Sequence, residues 1–166
     1  MNTLAIIGLF AYLIIGLFIG YSINQLGIAT AETPASASTV FSVQERFSPY
    51  DHIKQEQIHV SGDKVEIDFK GRNVLWATYK DSNSMDPFID IGANALEIKP
   101  ESTNDIHVGD VIAYRYGDGL IVHRVIEIGT DSEGWFAYTK GDNNPQKDPF
   151  RVRFEYIERI TVAVIY

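Results

Sequence analysis

The sequence predicts a mainly β domain, built from coiled antiparallel sheets or a partly closed barrel, behind one N-terminal transmembrane helix. Three observations carry that prediction. An uncharged apolar stretch of 18 residues lies near the N-terminus. From about residue 56 the chain breaks into short apolar runs divided by turn residues. No later stretch keeps helical periodicity for three turns.

The stretch is Leu4 to Tyr21, LAIIGLFAYLIIGLFIGY, and the first 31 residues hold no Asp, Glu, Lys, Arg or His. As a helix, Leu4–Tyr21 spans about 27 Å, close to the roughly 30 Å of a bilayer's hydrocarbon core. Gly8, Gly16 and Gly20 are compatible with this, since glycine is common in membrane helices. A buried helix of a soluble protein and a cleaved export signal are the alternatives. Ala29-Thr30-Ala31 has the small-x-small form of a cleavage site, but the run lacks a basic n-region and exceeds the usual signal length. Residues 1–21 are therefore read as an uncleaved anchor. Residues 22–43, containing ATAETPASAST, are small, polar and unable to bury much area, and read as a flexible linker. Residues 44–166 form the β-rich domain.

In that domain Gln57–Ser61 and Val65–Phe69 flank Gly62-Asp63, a hairpin signal. Asn73–Tyr79, Asn94–Lys99 and Val111–Tyr116 read as further strands. Gly117-Asp118-Gly119 leads tightly into Leu120–Ile128, and Asp131–Gly134 leads into Gly134–Lys140. Ile160–Tyr166 closes the chain. Strict alternation along Leu120–Ile128 puts Ile121, His123, Val125 and Glu127 on one side. Leu120, Val122, Arg124, Ile126 and Ile128 take the other. Trp76, Trp135 and Phe136 fall inside strands and are expected to pack, as is Phe88–Ile91 after a turn. Asp86 is expected to face solvent.

Fourteen basic against 22 acidic residues leave a net charge of −8, which argues against general nucleic-acid binding. The chain has no cysteine, which excludes disulfides, thiolate metal sites and a cysteine nucleophile. Asp110, Asp142 and Asp148 offer carboxylates to a cation, but the asparagine-rich loop lacks calcium-loop spacing. No metal and no cofactor are expected.

Three segments carry potential chemistry: Asp81-Ser82-Asn83-Ser84-Met85-Asp86-Pro87, Ile121-Val122-His123-Arg124-Val125, and Thr139 to Asp148. Together they supply hydroxyls, an imidazole and carboxylates. A serine hydroxyl becomes a useful nucleophile when a base takes its proton, and a carboxylate can fix that base's tautomer. Taken alone, each residue also has an ordinary reading. Ser84 fits a turn serine bonding local amides, His123 a core histidine, and Asp142 and Asp148 loop carboxylates.

These segments resemble the type I signal peptidases, in their archaeal and ER-type branch. Ser82, Ser84, Met85 and Pro87 match the family's Ser-x-Ser-Met-x-Pro. Gly109-Asp110-Val111-Ile112 matches its Gly-Asp-hydrophobic segment, and His123-Arg124-Val125 its His-Arg-Val. Lys140-Gly141-Asp142-Asn143-Asn144 matches the last motif, with Asp148 six positions after Asp142. The resemblance covers about 82 residues, from Ser82 to Ala163. It implies a membrane-anchored serine endopeptidase with Ser84 as nucleophile, His123 as base, Asp148 as the third triad member and Asp142 in support. It further implies an oxyanion hole at Ser82 and the Ser84 backbone N–H. Bacterial members use lysine where this chain has histidine. Asn83 stands where the family usually has glycine, and asparagine is among the residues that best tolerate φ > 0. Sixty residues separate Tyr21 from Ser82, where the family usually has few.

The implied partners are an extended signal-peptide or precursor substrate and the lipid bilayer, with additional membrane subunits possible and no nucleic acid. The implied location is a single-pass cell or ER-type membrane protein with its domain on the extracytoplasmic or lumenal side. Shallow apolar subsites are expected along Asn94–Lys99 or the strand ending at Tyr79. Two alternatives stay open: a related peptidase for another membrane-proximal precursor, and a non-catalytic membrane-anchored binding or assembly subunit.

Overall fold

Residues 46–166 are described by the structure, a computed structural model. The anchor expected over 1–21 and the linker over 22–43 lie outside the described residues. Among the described residues no helix is long and apolar enough to cross a membrane.

The short apolar runs become eight strands: β1 Ile58–Ser61, β2 Lys64–Ile67, β3 Val74–Thr78, β4 Asn94–Ile98, β5 Val111–Tyr116, β6 Gly119–Asp131, β7 Gly134–Lys140 and β8 Ile157–Ile165. Among the described residues β1 and β2 pair only with each other, across the Gly62-Asp63 turn. The other six form one antiparallel sheet in the order β3-β4-β8-β5-β6-β7. Its two end strands do not pair, so the sheet is open. The free side of β7 is taken instead by a short bridge, Ala137 to Val152, with N–H···O distances of 2.8 and 2.9 Å.

β5 sits near the middle of this sheet and is buried on both faces, so it reads as a continuous apolar run. Ile112 and Tyr114 enter the main core with Ile98, Ile106, Val125, Ala137, Val152, Ile157 and Ile160. Val111, one residue out of phase, joins Met85 and Ile89 in a second cluster. That second cluster holds the loop carrying Ser82 and Ser84 against the sheet. Burying Met85 and Ile89 is worth about 1.5–3 kcal/mol each.

Register assigns the chemistry to faces. His123 lies opposite Ile112, and Arg124 opposite Val111. Directly paired residues share a face, so His123 looks into the main core and Arg124 toward the Met85 side. The strict alternation expected along β6 ends at a bulge between Val125 and Glu127. One extra residue reverses the phase. Ile128 then packs on the main core and Glu127 moves to the face of Arg124, the reverse of the alternating pattern.

Three aromatic and loop expectations change. Trp76 is 55% exposed, with Val74 and Leu75 also exposed, on β3, which is an end strand of the sheet among the described residues. Within Phe88–Ile91 only Ile89 is buried, whereas Phe88 and Ile91 face outward. Asp86 buries its Oδ1 without a partner. Burial, with Asp90 and Asp81 nearby, pushes its carboxyl above the usual range.

Candidate active site

Asp148 is the centre of a buried polar group on the core face. Its Oδ2 lies 2.7 Å from His123 Nδ1 and accepts from the Tyr114 hydroxyl at 2.9 Å and the Thr139 hydroxyl at 2.6 Å. The Asp148 N–H donates to the Thr139 carbonyl at 2.8 Å, which fixes the backbone beneath the carboxylate. Register explains the convergence. Tyr114 follows Ile112 by two residues on the same face of β5, Ile112 faces His123, and Thr139 faces Val125, two residues beyond His123.

Burial works to raise the Asp148 carboxyl, but the hydrogen bonds from His123, Thr139 and Tyr114 outweigh it and hold the group below the usual range. Burial pushes the Tyr114 phenol upward, so it stays a donor. An ionised Asp148 accepts from Nδ1–H, which leaves the lone pair on Nε2 of a neutral His123. Nε2 has no hydrogen-bond partner among the described residues. The arrangement is an oriented base with its proton-accepting nitrogen unoccupied.

Asp142 belongs to a different network. Arg124 grips it with two bonds, Nε to Oδ1 at 2.8 Å and Nη2 to Oδ2 at 2.7 Å. The remaining guanidinium nitrogen donates to the carbonyls of Gly109 at 2.8 Å and Phe47 at 3.2 Å. Arg46 reaches the Asp142 carbonyl at 3.0 Å. Gly109 has φ +101, and a side chain there collides with the backbone of Ser48, so glycine is required for the 47–48 segment to lie this close.

The Ser84 loop is docked on the residues that Arg124 holds. Asn143 N–H donates to the Ser84 carbonyl at 2.9 Å, and Asn143 Nδ2 to the Asn83 carbonyl at 2.9 Å. Asp142 N–H points at Met85 Sδ, 3.4 Å away. A methyl group on Gly141 would stand 2.6 Å from the Ser84 carbonyl oxygen, so this contact also needs glycine. Asn83 has φ +55, the left-handed conformation that asparagine tolerates. Comparison with family models, curated proteins and solved structures finds no match.

The residues named from sequence therefore fall into two connected pairs and a docked loop. His123 joins Asp148, and Arg124 joins Asp142. Ser84 is tied to Asn143 through its backbone. Its hydroxyl bonds with Ser82 Oγ at 3.2 Å, and no hydrogen bond joins it to His123. The Ser84 N–H donates to no backbone group among the described residues.

Thr139 stands at the head of the third sequence segment without an assigned role, and Tyr114 was not singled out from sequence. Thr139 opens that segment and Tyr114 sits at a core-phase position of β5, but nothing local marks either as a partner of Asp148. The apolar cavity of about 300 Å³ beneath Phe88 and Ile89 is lined by β8 and residues 49–53. None of the five candidate residues lines it, nor does β4 or Tyr79, where apolar subsites were expected.

Proposed function

We propose that this chain is a membrane-anchored serine endopeptidase that cleaves signal peptides from translocated precursors, with its β domain on the extracytoplasmic or lumenal side. The observation that supports it most is the His123–Asp148 pair, buried, reinforced by Tyr114 and Thr139, with Nε2 unoccupied. A core histidine needs one satisfied nitrogen. It does not need a carboxylate backed by two further donors.

In this reading His123 Nε2 takes the Ser84 proton as Oγ attacks the scissile carbonyl carbon. Asp148 opposes the imidazolium charge. The Ser84 N–H and the Ser82 hydroxyl donate to the oxyanion, each such donor being worth about 2.7–4 kcal/mol in the transition state. The tetrahedral adduct collapses, the C–N bond breaks, and His123 returns the proton to the leaving amine. Water then gives a proton to His123 Nε2 and attacks the acyl carbon; the C–Oγ bond breaks, His123 returns the proton to Ser84 Oγ, and the product leaves as a carboxylic acid that ionises in water. The bond from Ser84 to His123 forms on substrate binding, since catalytic hydrogen bonds often tighten only in the loaded complex. An extended substrate adds to a strand edge.

A second reading, a non-catalytic membrane-anchored subunit, is favoured by one observation: the Ser84 hydroxyl bonds to Ser82 and not to the imidazole. The full-length chain in detergent, given a peptide with alanine at the first and third positions before the cut, separates the two. Ser84→Ala is expected to lower kcat by roughly 10⁴–10⁶-fold, and Ser102→Ala to leave it unchanged. Equal turnover by Ser84→Ala and parent favours the subunit.

A further inference from the structure

Beyond the Ser84 loop, the segment 50–52 packs on residues 107–110, and two imidazoles there meet a buried carboxylate. Asp110 is 0% exposed. Its Oδ1 accepts the Tyr50 N–H at 2.9 Å and lies 3.1 Å from His52 Nε2. Its Oδ2 accepts the His107 N–H at 2.8 Å and lies 3.7 Å from His107 Nδ1. One donor atom from each of the three side chains lies within 4.8 Å of the other two. Among the described residues no lysine or arginine pairs with Asp110; its side-chain partners are the two histidines. His107 Nδ1 is itself buried and has no hydrogen-bond partner among the described residues.

We propose that His52, His107 and Asp110 form a binding site for a divalent transition-metal ion of the zinc type. Imidazole nitrogen and carboxylate oxygen are zinc's donors, at about 2.0–2.2 Å, which puts neighbouring tetrahedral ligands about 3.4 Å apart. His52 Nε2 lies 3.1 Å from Oδ1 and His107 Nδ1 3.7 Å from Oδ2 of the same carboxylate, and one ligand atom from each side chain lies within 4.8 Å of the other two, so a modest side-chain adjustment gathers the three onto one ion. Calcium and magnesium fit poorly, because they take oxygen donors almost throughout. An ion here supplies the partner that His107 Nδ1 lacks and neutralises a carboxylate sealed from water.

The surroundings already orient the ligands. Two backbone amides hold the Asp110 carboxylate, and the His107 ring stacks on Tyr50 at 3.9 Å and 10°. Such outer contacts are what fix a metal ligand's direction. Three protein ligands leave a fourth position for water. The bound ion cross-links residues 50–52 to 107–110, close to the Gly109 carbonyl that Arg124 holds. None of the three residues takes part in the proposed catalytic steps, although Asp110 lies in one of the segments that carry the resemblance.

The test titrates the chelator-stripped full-length chain in detergent with Zn²⁺ alone by calorimetry, and with Co²⁺ by visible absorption. One equivalent of zinc is expected, with the visible bands of a tetrahedral cobalt site. His107→Phe keeps the ring stacked on Tyr50 and removes the ligand nitrogen. It is expected to weaken binding by at least about 10-fold with the metal-free Tm unchanged. His52→Gln, which keeps a donor toward Asp110, carries the same expectation if the Phe variant fails to fold. No saturable zinc binding by the parent, or equal affinity in a folded variant, overturns the proposal and leaves only an imidazole–carboxylate hydrogen bond.

Discussion

Asp148 collects three donors on one oxygen, and that concentration decides what the residue can do. Its carboxyl stays below the usual range despite burial, because the bonds from His123, Thr139 and Tyr114 favour the ionised group in the fold. A depressed carboxyl stabilises the fold above its unfolded pKa of about 3.9. That stabilisation is lost as pH falls through the folded value. Asp148→Asn is expected to lower kcat roughly 10⁴-fold, the usual effect of presenting the wrong imidazole tautomer. KM should change little. The variant's stability deficit should shrink below about pH 4, read by thermal melts across pH. A deficit that stays constant into acid rejects the ionised Asp148. Asp148 and Asp142 were separable in the sequence only through the resemblance. Their division between His123 and Arg124 follows from the opposite faces of consecutive residues on β6.

At the scale of elements, the Ser84 loop owes its position to Gly141. The methyl of an alanine there meets the Ser84 carbonyl at 2.6 Å and Asn144 Nδ2 at 2.7 Å, so the loop must shift. Gly141→Ala is expected to cost about 1–3 kcal/mol in stability and to reduce peptide turnover at least about tenfold, since small misplacements of a nucleophile are costly. Gly119→Ala is the control, because its nearest contact is an ordinary 3.9 Å. Equal turnover in the two variants removes the docked loop from the mechanism. The strands themselves were legible. Asn73–Tyr79, Asn94–Lys99 and Val111–Tyr116 were delimited to within one residue at either end, and the Gly62-Asp63 and Gly117-Asp118 turns fell where expected. The β6 bulge was not legible, because Val125-Ile126 is an apolar pair that fits an alternating strand on either phase and leaves no turn residue to mark the extra position.

For the molecule as a whole, buried acids on a chain of net charge −8 set the response to pH. Glu97 is buried in β4, accepting from Tyr79 at 3.3 Å and Thr161 at 3.5 Å. Burial raises its carboxyl above 4.5, more than those bonds and Arg159 lower it. A raised carboxyl contributes stability below its unfolded pKa and loses that contribution as pH climbs through the folded value. Glu97→Gln is therefore expected to show no gain in Tm below about pH 4.3 and an increasing gain toward neutrality. A parent–variant difference that does not vary with pH contradicts this. Asp131 opposes the trend: hydrogen bonds from Arg153 bring its carboxyl down to about 2 despite its burial cost.

Sequence alone determined the strand-rich class, most strand positions and the residue types available for acyl-transfer chemistry, because periodicity and turn residues act over a few neighbours. Tertiary structure decided the partnerships. Tyr114 lies 34 residues from Asp148, Arg46 lies 96 from Asp142, and His52 lies 58 from Asp110. Contacts over such separations depend on sheet order and register. The sheet places β5 between β8 and β6, which brings Tyr114 and His123 to one face and Arg124 to the other. Short-range patterns in the chain do not encode that order; the packing of the whole core does.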